Sequence, residues 1–494
     1  LHAICTLDGM QKLDAQILSQ MLVDTDSRVR RHAIRLCEPF LNQKGHPLAE
    51  QFRTQQAVDD PHLQLQLAYS AGAWQNAAAA GRLLAQLALQ RADDPYQRAA
   101  VMSSLNAANI TATTQAMIQT ASDKPAHRQW IERLLAMSVA LKQKDLALQT
   151  FSWLTRTGDE SFTTAHFHSL TRLLDALQDQ PLDDYLDSAA SARVDQMFSQ
   201  ARDAAIDDTT KDDQRLAAIS LLGRELSQWD TDLDHLIGLL APRHAPAIHA
   251  AALKGLARKV DDRIYRLLLA DWNHYAPSLR ERVCELLLNR DRSTQALLEA
   301  MQTNPQIASH LNAASRQRLL THNQPEIREL AQLRLASPEL SDRATIVTQF
   351  RDALDLPPDA VHGKAVFETR CAACHQLENI GHAVGPDLTA IKDRSPLAML
   401  TAMLDPNRAV EDKYLGYQVL TLQGRLFNGI IVEEGDNHLV LRDQNGKQQE
   451  ILRQTIDELR VTGKSLMPEG LEKDLTKQDL ADLIKYVSGV IPEQ

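Results

Sequence analysis

Residues 24–41 read Asp24-Thr25-Asp26-Ser27-Arg28-Val29-Arg30-Arg31-His32-Ala33-Ile34-Arg35-Leu36-Cys37-Glu38-Pro39-Phe40-Leu41, and this stretch decides how the longer part of the chain folds. The opening Asp-Thr-Asp-Ser cluster is built from helix-capping residues, and apolar residues then recur at three- and four-residue steps through Val29–Cys37. The same phrase returns as Asp59-Asp60-Pro61 before Leu63–Ala71 and as Asp93-Asp94-Pro95 before Arg98–Leu105, at a spacing of about 35 residues. Farther along, His244-Ala245-Pro246 precedes Ile248–Leu256, Tyr275-Ala276-Pro277 precedes Leu279–Leu288, and His322-Asn323-Gln324-Pro325 precedes Ile327–Leu335. A helix pair that cannot bury its apolar face alone, but can by stacking on a copy of itself, builds an α-solenoid.

The wording of residues 24–41 resembles the second helix of HEAT-type repeats, which implies a helical scaffold over 1–352 and an extended curved surface suited to docking a partner. The repeat is blurred between about 110 and 240. Composition agrees with helices packed through small and aliphatic side chains: 44% hydrophobic residues but only 4% aromatic ones. A net charge of −11 with no long basic stripe excludes a general nucleic-acid binder. No run of about 18 apolar residues exists to span a membrane. The chain opens Leu1-His2-Ala3-Ile4 without an initiator Met or an export signal, and its first Met is Met10, so it reads as a piece of a larger or trimmed protein. His166 and His168 stand two apart on a helix, point to different faces and read as solvated histidines rather than a metal pair. Cys5, Cys37 and Cys284 sit singly in helical, apolar contexts, as small buried thiols do.

Two consecutive prolines, Pro357 and Pro358, end this helical region and predict a linker over 353–361, with a second domain over 362–494. Gly363–Cys371 reads as a short helix that delivers Cys371 to the run Cys371-Ala372-Ala373-Cys374-His375. Two thiols at this spacing suit thioether bonds to the two vinyl groups of a haem, and the adjoining imidazole suits the iron. A thioredoxin-like pair would follow a strand in a βαβ unit, which is absent here. A zinc site would need a second Cys or His pair, and no cysteine follows Cys374. One covalent haem c is therefore expected on Cys371 and Cys374, with His375 on the iron.

Gly385-Pro386-Asp387-Leu388 resembles the loop of class I cytochromes c in which a proline carbonyl accepts a hydrogen bond from the ligand histidine. That likeness gives Pro386 a supporting role toward His375, the alternative being an ordinary turn. Met467, in Ser465-Leu466-Met467-Pro468, precedes a helix over Lys477–Val490 and is the expected second axial ligand. His382 is a rival, so are Met399 and Met403, whose spacing marks the core face of a helix, and the remaining alternative is that no protein side chain fills the sixth position. Between the ligands, Gly416–Leu422, Leu426–Glu433, His438–Arg442 and Gln448–Leu452 alternate polar and apolar residues, with turns at Gln423-Gly424, Gly435-Asp436 and Asn445-Gly446. They predict an antiparallel meander of about four strands, inserted over about 416–462, that shields a haem edge or docks a partner.

The phrases "GKAVFETRCAACHQLENIGHAVGPDLTAI", "MLDPNRAVEDKYLGYQVLTLQGRLFNGIIVEEGDNHLVLRDQNG" and "SLMPEGL" resemble a haem-binding domain of large exported proteins of planctomycetes and their relatives. In that family the domain often follows HEAT-like repeats that are themselves preceded by a β-propeller similar to soluble sugar dehydrogenases. The resemblance carries over Cys371, Cys374, His375 and Met467, and nothing catalytic. It implies a mainly α protein that transfers electrons, with a redox partner or an attached dehydrogenase domain, in the periplasm or another extracytoplasmic space. The alternative is the C-terminal part of a sugar or alcohol dehydrogenase whose catalytic propeller lies outside this chain. A haem sensor or peroxidase would need an open distal site.

Overall fold

Three aspartates start three successive repeats. Asp26, Asp60 and Asp94 cap the helices α1 (Ser27–Leu36), α2 (Pro61–Ala71) and α3 (Pro95–Ser104), their carboxylates accepting from the amides of Arg28, His62 and Tyr96. Each cap satisfies an amide that a helix start would otherwise leave unpaired. Proline at the first position of α2 and α3 suits the same site, because its missing N–H is one the helix would not use there. Helix α1 packs on α2 and α2 on α3. Ties from one repeat to the next reinforce the stack: Ser104 Oγ donates to the Tyr69 carbonyl at 2.9 Å, and Arg91 pairs with Asp59 at 2.8 Å.

The computed structural model describes residues 2–122, 124–157, 161–178, 180–335, 343–408 and 410–489. It divides into two units, 1–224 and 225–494. The architecture is mainly α, as expected, with small antiparallel sheets toward the C-terminus. In the second unit the stacking resumes, Pro246–Leu256 lying against α4 (Pro277–Leu287).

Two expectations need correction in the helical part. His166 is buried rather than solvated. Its Nδ1 accepts from the Thr163 amide at 3.1 Å and its Nε2 reaches the Arg156 carbonyl at 3.2 Å, so the ring closes a capping box at its helix start. His168 is exposed. Cys37 and Cys284 are buried, but Cys5 is exposed, because its helix, His2–Gly9, buries none of its residues.

The C-terminal part of the second unit is built on a helix crossing. Helix α5 (Ala360–Arg370) lies across α7 (Lys477–Gly489), with α6 (Pro396–Leu404) beside them around one core that includes Phe367, Leu400, Leu480 and Leu483. The helices meet at Gly363, where a methyl group would overlap the backbone carbonyl of Asp482. Phe367 and Tyr486 pack ring to ring at 5.8 Å one turn farther on. Asp482, 2% exposed, accepts from the Asp359 amide at 2.7 Å, from Gln478 at 2.8 Å and from His362 Nδ1 at 2.8 Å.

Between α6 and α7 stands a five-stranded antiparallel sheet: β1 (Leu415–Thr421), β2 (Leu426–Glu434), β3 (His438–Arg442), β4 (Gln448–Leu452) and β5 (Ile456–Ser465), in the order β4-β3-β2-β1-β5. The four expected strands are present and a fifth joins them. Strand β5 escapes a period-two reading because Asp457 is an extra residue: Leu420 pairs with Glu458 but Thr421 with Ile456, so buried Ile456 and Leu459 fall three apart. The sheet rests on the repeats through Arg280 of α4, 2% exposed, which pairs with Asp412 at 2.9 Å and hydrogen-bonds Tyr417 Oη.

Two predictions follow from the crossing. Gly363→Ala gains helix propensity of about 0.5–1 kcal/mol, but the overlap is with backbone that cannot swing aside. Overpacking of this kind costs about 1–3 kcal/mol, so a net loss of stability is expected on thermal unfolding. The His362–Asp482 pair makes stability depend on pH. The carboxylate of Asp482 raises the pKa of His362 above its ordinary 6.5. Burial works to raise Asp482, but the bonds from the Asp359 amide, His362 and Gln478 outweigh it and leave its pKa below the ordinary 3.8. A raised histidine stabilises fully below 6.5 and loses its effect as pH climbs through the folded value. A lowered carboxyl stabilises fully above 3.8 and fails as pH falls. The melting temperature should therefore hold between those limits and drop on both sides, and Asp482→Asn should flatten both slopes.

Candidate functional site

Helix α5 ends where the cysteines begin. Cys371 is its C-cap, and the turn continues tightly: the amides of Cys374 and His375 both donate to the Cys371 carbonyl, at 3.0 and 2.9 Å. The two thiols and the imidazole thus leave one helical turn together. A two-residue strand pair, Gln376–Leu377 with Ile380–Gly381, then folds the chain back, and His382 N–H donates to the Ala372 carbonyl at 2.9 Å. The amides of Val384 and Gly385 close onto the Cys374 carbonyl at 3.0 and 2.7 Å.

This returning loop places Pro386 beside His375, and the proline carbonyl lies 2.9 Å from Nδ1. A carbonyl can only accept, so Nδ1 carries the proton and Nε2 is left with its lone pair, the state a metal-binding imidazole requires. Burial lowers the pKa of His375 and so favours the neutral ring, and the bond to the Pro386 carbonyl only partly opposes it. Gly385 lies against the ring face: a methyl there would stand 2.7 Å from Cε1.

The thiols are not those of a redox pair. Burial, with Cys374 alongside, pushes the Cys371 thiol up to about 11, and burial raises Cys374 as well. A nucleophilic Cys-x-x-Cys pair sits at a helix N-terminus, whose partial positive charge stabilises thiolate; here the pair follows a helix C-terminus, of opposite sign. A bare-metal site fares no better, since no group of three or more His, Cys, Asp or Glu able to hold an ion occurs among the described residues. Two neutral thiols, a neutral imidazole with its outer nitrogen free to bind, and a ring face kept clear by glycine fit a covalently attached haem.

Cys371, Cys374, His375 and Pro386 therefore come together in one loop. Met467 is carried separately, half-buried, on the segment between β5 and α7. Leu471 just beyond it packs against the same core as Cys371 and Ala372. Met399 and Met403 face that core too, and His382 is exposed. The sheet also reaches the attachment loop, a contact the sequence did not reveal. Arg442 at the end of β3 donates to the Ala383 carbonyl, and the Gln444 carbonyl in the β3–β4 turn accepts from Cys374 Sγ at 3.6 Å. The Asn445-Gly446 turn signal marks the tip of that hairpin without saying what it touches.

Comparison with known proteins agrees with the geometry. Residues 360–418 match the family model for cytochrome c, so a cytochrome c domain lies here, with haem binding and electron transfer as its family chemistry. The match runs from α5 into β1 and ends before Met467. No curated protein matches the chain. Among solved structures it is similar to one from work on tubulin recruitment and assembly by microtubule polymerases with tumor overexpressed gene (TOG) domain arrays. The identity is 10%, over 68% of this chain and 96% of that one, at a TM-score of 0.22, and a likeness so loose carries no argument.

Gly385→Ala should drive the His375 ring away from the Pro386 carbonyl. Loss of such a supporting contact weakens metal ligation about 10–100-fold. Haem-loaded G385A is expected to exchange its imidazole ligand at milder acidity than the unaltered protein, read from the visible spectrum during an acid titration.

Proposed function

We propose that the chain is an electron-transfer protein that holds one haem c. Residues 1–352 serve as scaffold or docking surface, 353–361 as linker and 362–494 as the haem domain. Cys371 and Cys374 form the two thioethers, His375 is one axial ligand and Met467 the other. The bound group supplies a one-electron couple, and the chain's own residues do the rest. Pro386 fixes the tautomer and direction of His375, Gly385 leaves the ring room, and the Met467 thioether favours the reduced state over what a second imidazole would give. The observation that carries this reading is the 2.9 Å contact between His375 Nδ1 and the Pro386 carbonyl, directly behind a Cys-x-x-Cys turn.

With both axial positions filled by protein, electrons can pass without an open coordination site. The partner is then a redox protein, either a docked dehydrogenase or a dehydrogenase domain attached to this chain. Thioether attachment needs reduced cysteines and a dedicated maturation system outside the bacterial cytoplasm, which argues for the periplasm or another extracytoplasmic space. No helix among the described residues is long and apolar enough to cross a membrane.

The test is a reduced pyridine haemochrome spectrum on protein matured with the haem c machinery. The expected outcome is the haem c signature at one haem per chain, resistant to acidified acetone. In the double variant Cys371→Ala/Cys374→Ala, any pigment retained should extract into that solvent. Colourless protein from competent, exporting cells would sink the proposal.

A further inference from the structure

The segment that carries Met467 is gripped from outside. Asn407, just past α6, accepts the Ser465 amide through Oδ1 at 2.8 Å and donates through Nδ2 to the Glu469 carboxylate at 2.5 Å. Ser465 Oγ in turn accepts the Met467 amide at 3.0 Å. One side chain therefore bridges the residue two before Met467 and the residue two after it. The grip continues beyond: Arg343 joins the carbonyl of Leu404, the last residue of α6, to the carboxylate of Glu472, and the Arg343 and Glu472 side chains are largely buried. The short stretch 404–407 thus holds the Met467 segment on both flanks.

The chemistry of the clamp is particular to an amide. Asparagine offers an acceptor and donors from one planar group, which is what an N–H on one side and a carboxylate on the other demand. Aspartate would keep the acceptor but set a second negative charge against Glu469. The backbone around Met467 is also committed: Pro468 has no N–H to bond elsewhere, and Gly470 takes the left-handed φ of +96° that turns the chain toward α7.

We propose that Asn407 is a positioning residue for Met467, holding its loop so that the thioether is presented to the iron. This rests on the reading of Met467 as axial ligand. A segment with no regular structure would otherwise sample many arrangements, and the fraction that presents sulfur would fall. Asn407 itself touches neither sulfur nor iron.

The experiment compares the full chain, matured with haem, with Met467→Ala, Asn407→Ala and Glu469→Ala. The readouts are the near-infrared sulfur–iron band of the oxidised protein, the reduction potential and carbon monoxide binding to the reduced protein. Met467→Ala should lose the band, fall in potential and bind carbon monoxide. Asn407→Ala should keep its covalent haem and helical circular dichroism, yet lower the potential and shift the balance of bound to displaced Met467 about tenfold, as loss of a charge-assisted hydrogen bond does. Glu469→Ala should move the same readouts less.

If Met467→Ala abolishes the band while Asn407→Ala leaves band, potential and carbon monoxide binding unchanged, the clamp is refuted and the ligand reading stands. Should Met467→Ala keep the band, the ligand reading fails and the clamp goes with it. If Asn407→Ala does not mature, Glu469→Ala decides on the same readouts, and unchanged values refute the clamp.

Discussion

The C-terminal half of the second unit depends on one close approach, the crossing of α5 over α7 at Gly363. Because no side chain separates the helices there, Phe367 can reach Tyr486, and Asp482 can take the amide at the start of α5. The position of Cys371 follows directly, since it is the C-cap of that helix. A shift of the crossing by one turn would move the whole attachment turn by about 5 Å. Tight backbone packing at one end of α5 therefore sets where the Cys371–His375 turn stands at the other end.

From that fixed end the chain builds the site through backbone hydrogen bonds. The Cys371 and Cys374 carbonyls each receive two amides, so the turn and the returning loop are tied to each other before any cofactor is present. The imidazole of His375 is then held between the Pro386 carbonyl and the face of Gly385. The β3–β4 turn adds a contact from the sheet, and the sheet is anchored in turn to the repeats by buried Arg280 and Tyr417 with half-buried Asp412. Burial raises the pKa of Asp412 even though the Arg280 charge opposes it. That pair is thus worth more as a rigid strut than as a source of net stability.

How much of this was legible depended on whether a signal was local. The Asp26, Asp60 and Asp94 caps announce their helices within a few residues, and the Cys-x-x-Cys-His run announces its cofactor within five. The strands β1–β4 show because turn residues separate alternating segments. Strand β5 was hidden by one bulged residue, Asp457, which breaks the alternation. The burial of His166 was hidden because its partners, Thr163 and Arg156, both precede the helix and come to the ring only when the chain turns into it. Asn407 was hidden for a similar reason: an Asp-Pro-Asn turn looks like any other until the segment it holds, far along the chain, arrives beside it.

The arrangement also explains why an insertion between α6 and the Met467 segment is tolerable. A five-stranded sheet separates α6 from Met467 in sequence, which would leave a methionine at the end of a long, independent excursion. Strand β5 ends at Ser465, and Ser465 is the residue whose amide Asn407 holds. The excursion is thereby closed at its base, where β1 and β5 run side by side, with Leu415 opposite Ser465. Whatever the sheet does at its far end, the segment returning to the core re-enters at a position set by the stretch that follows α6. Closure entropy grows only slowly with the length of such an excursion, so a firm base lets the insertion vary while the Met467 segment stays in register.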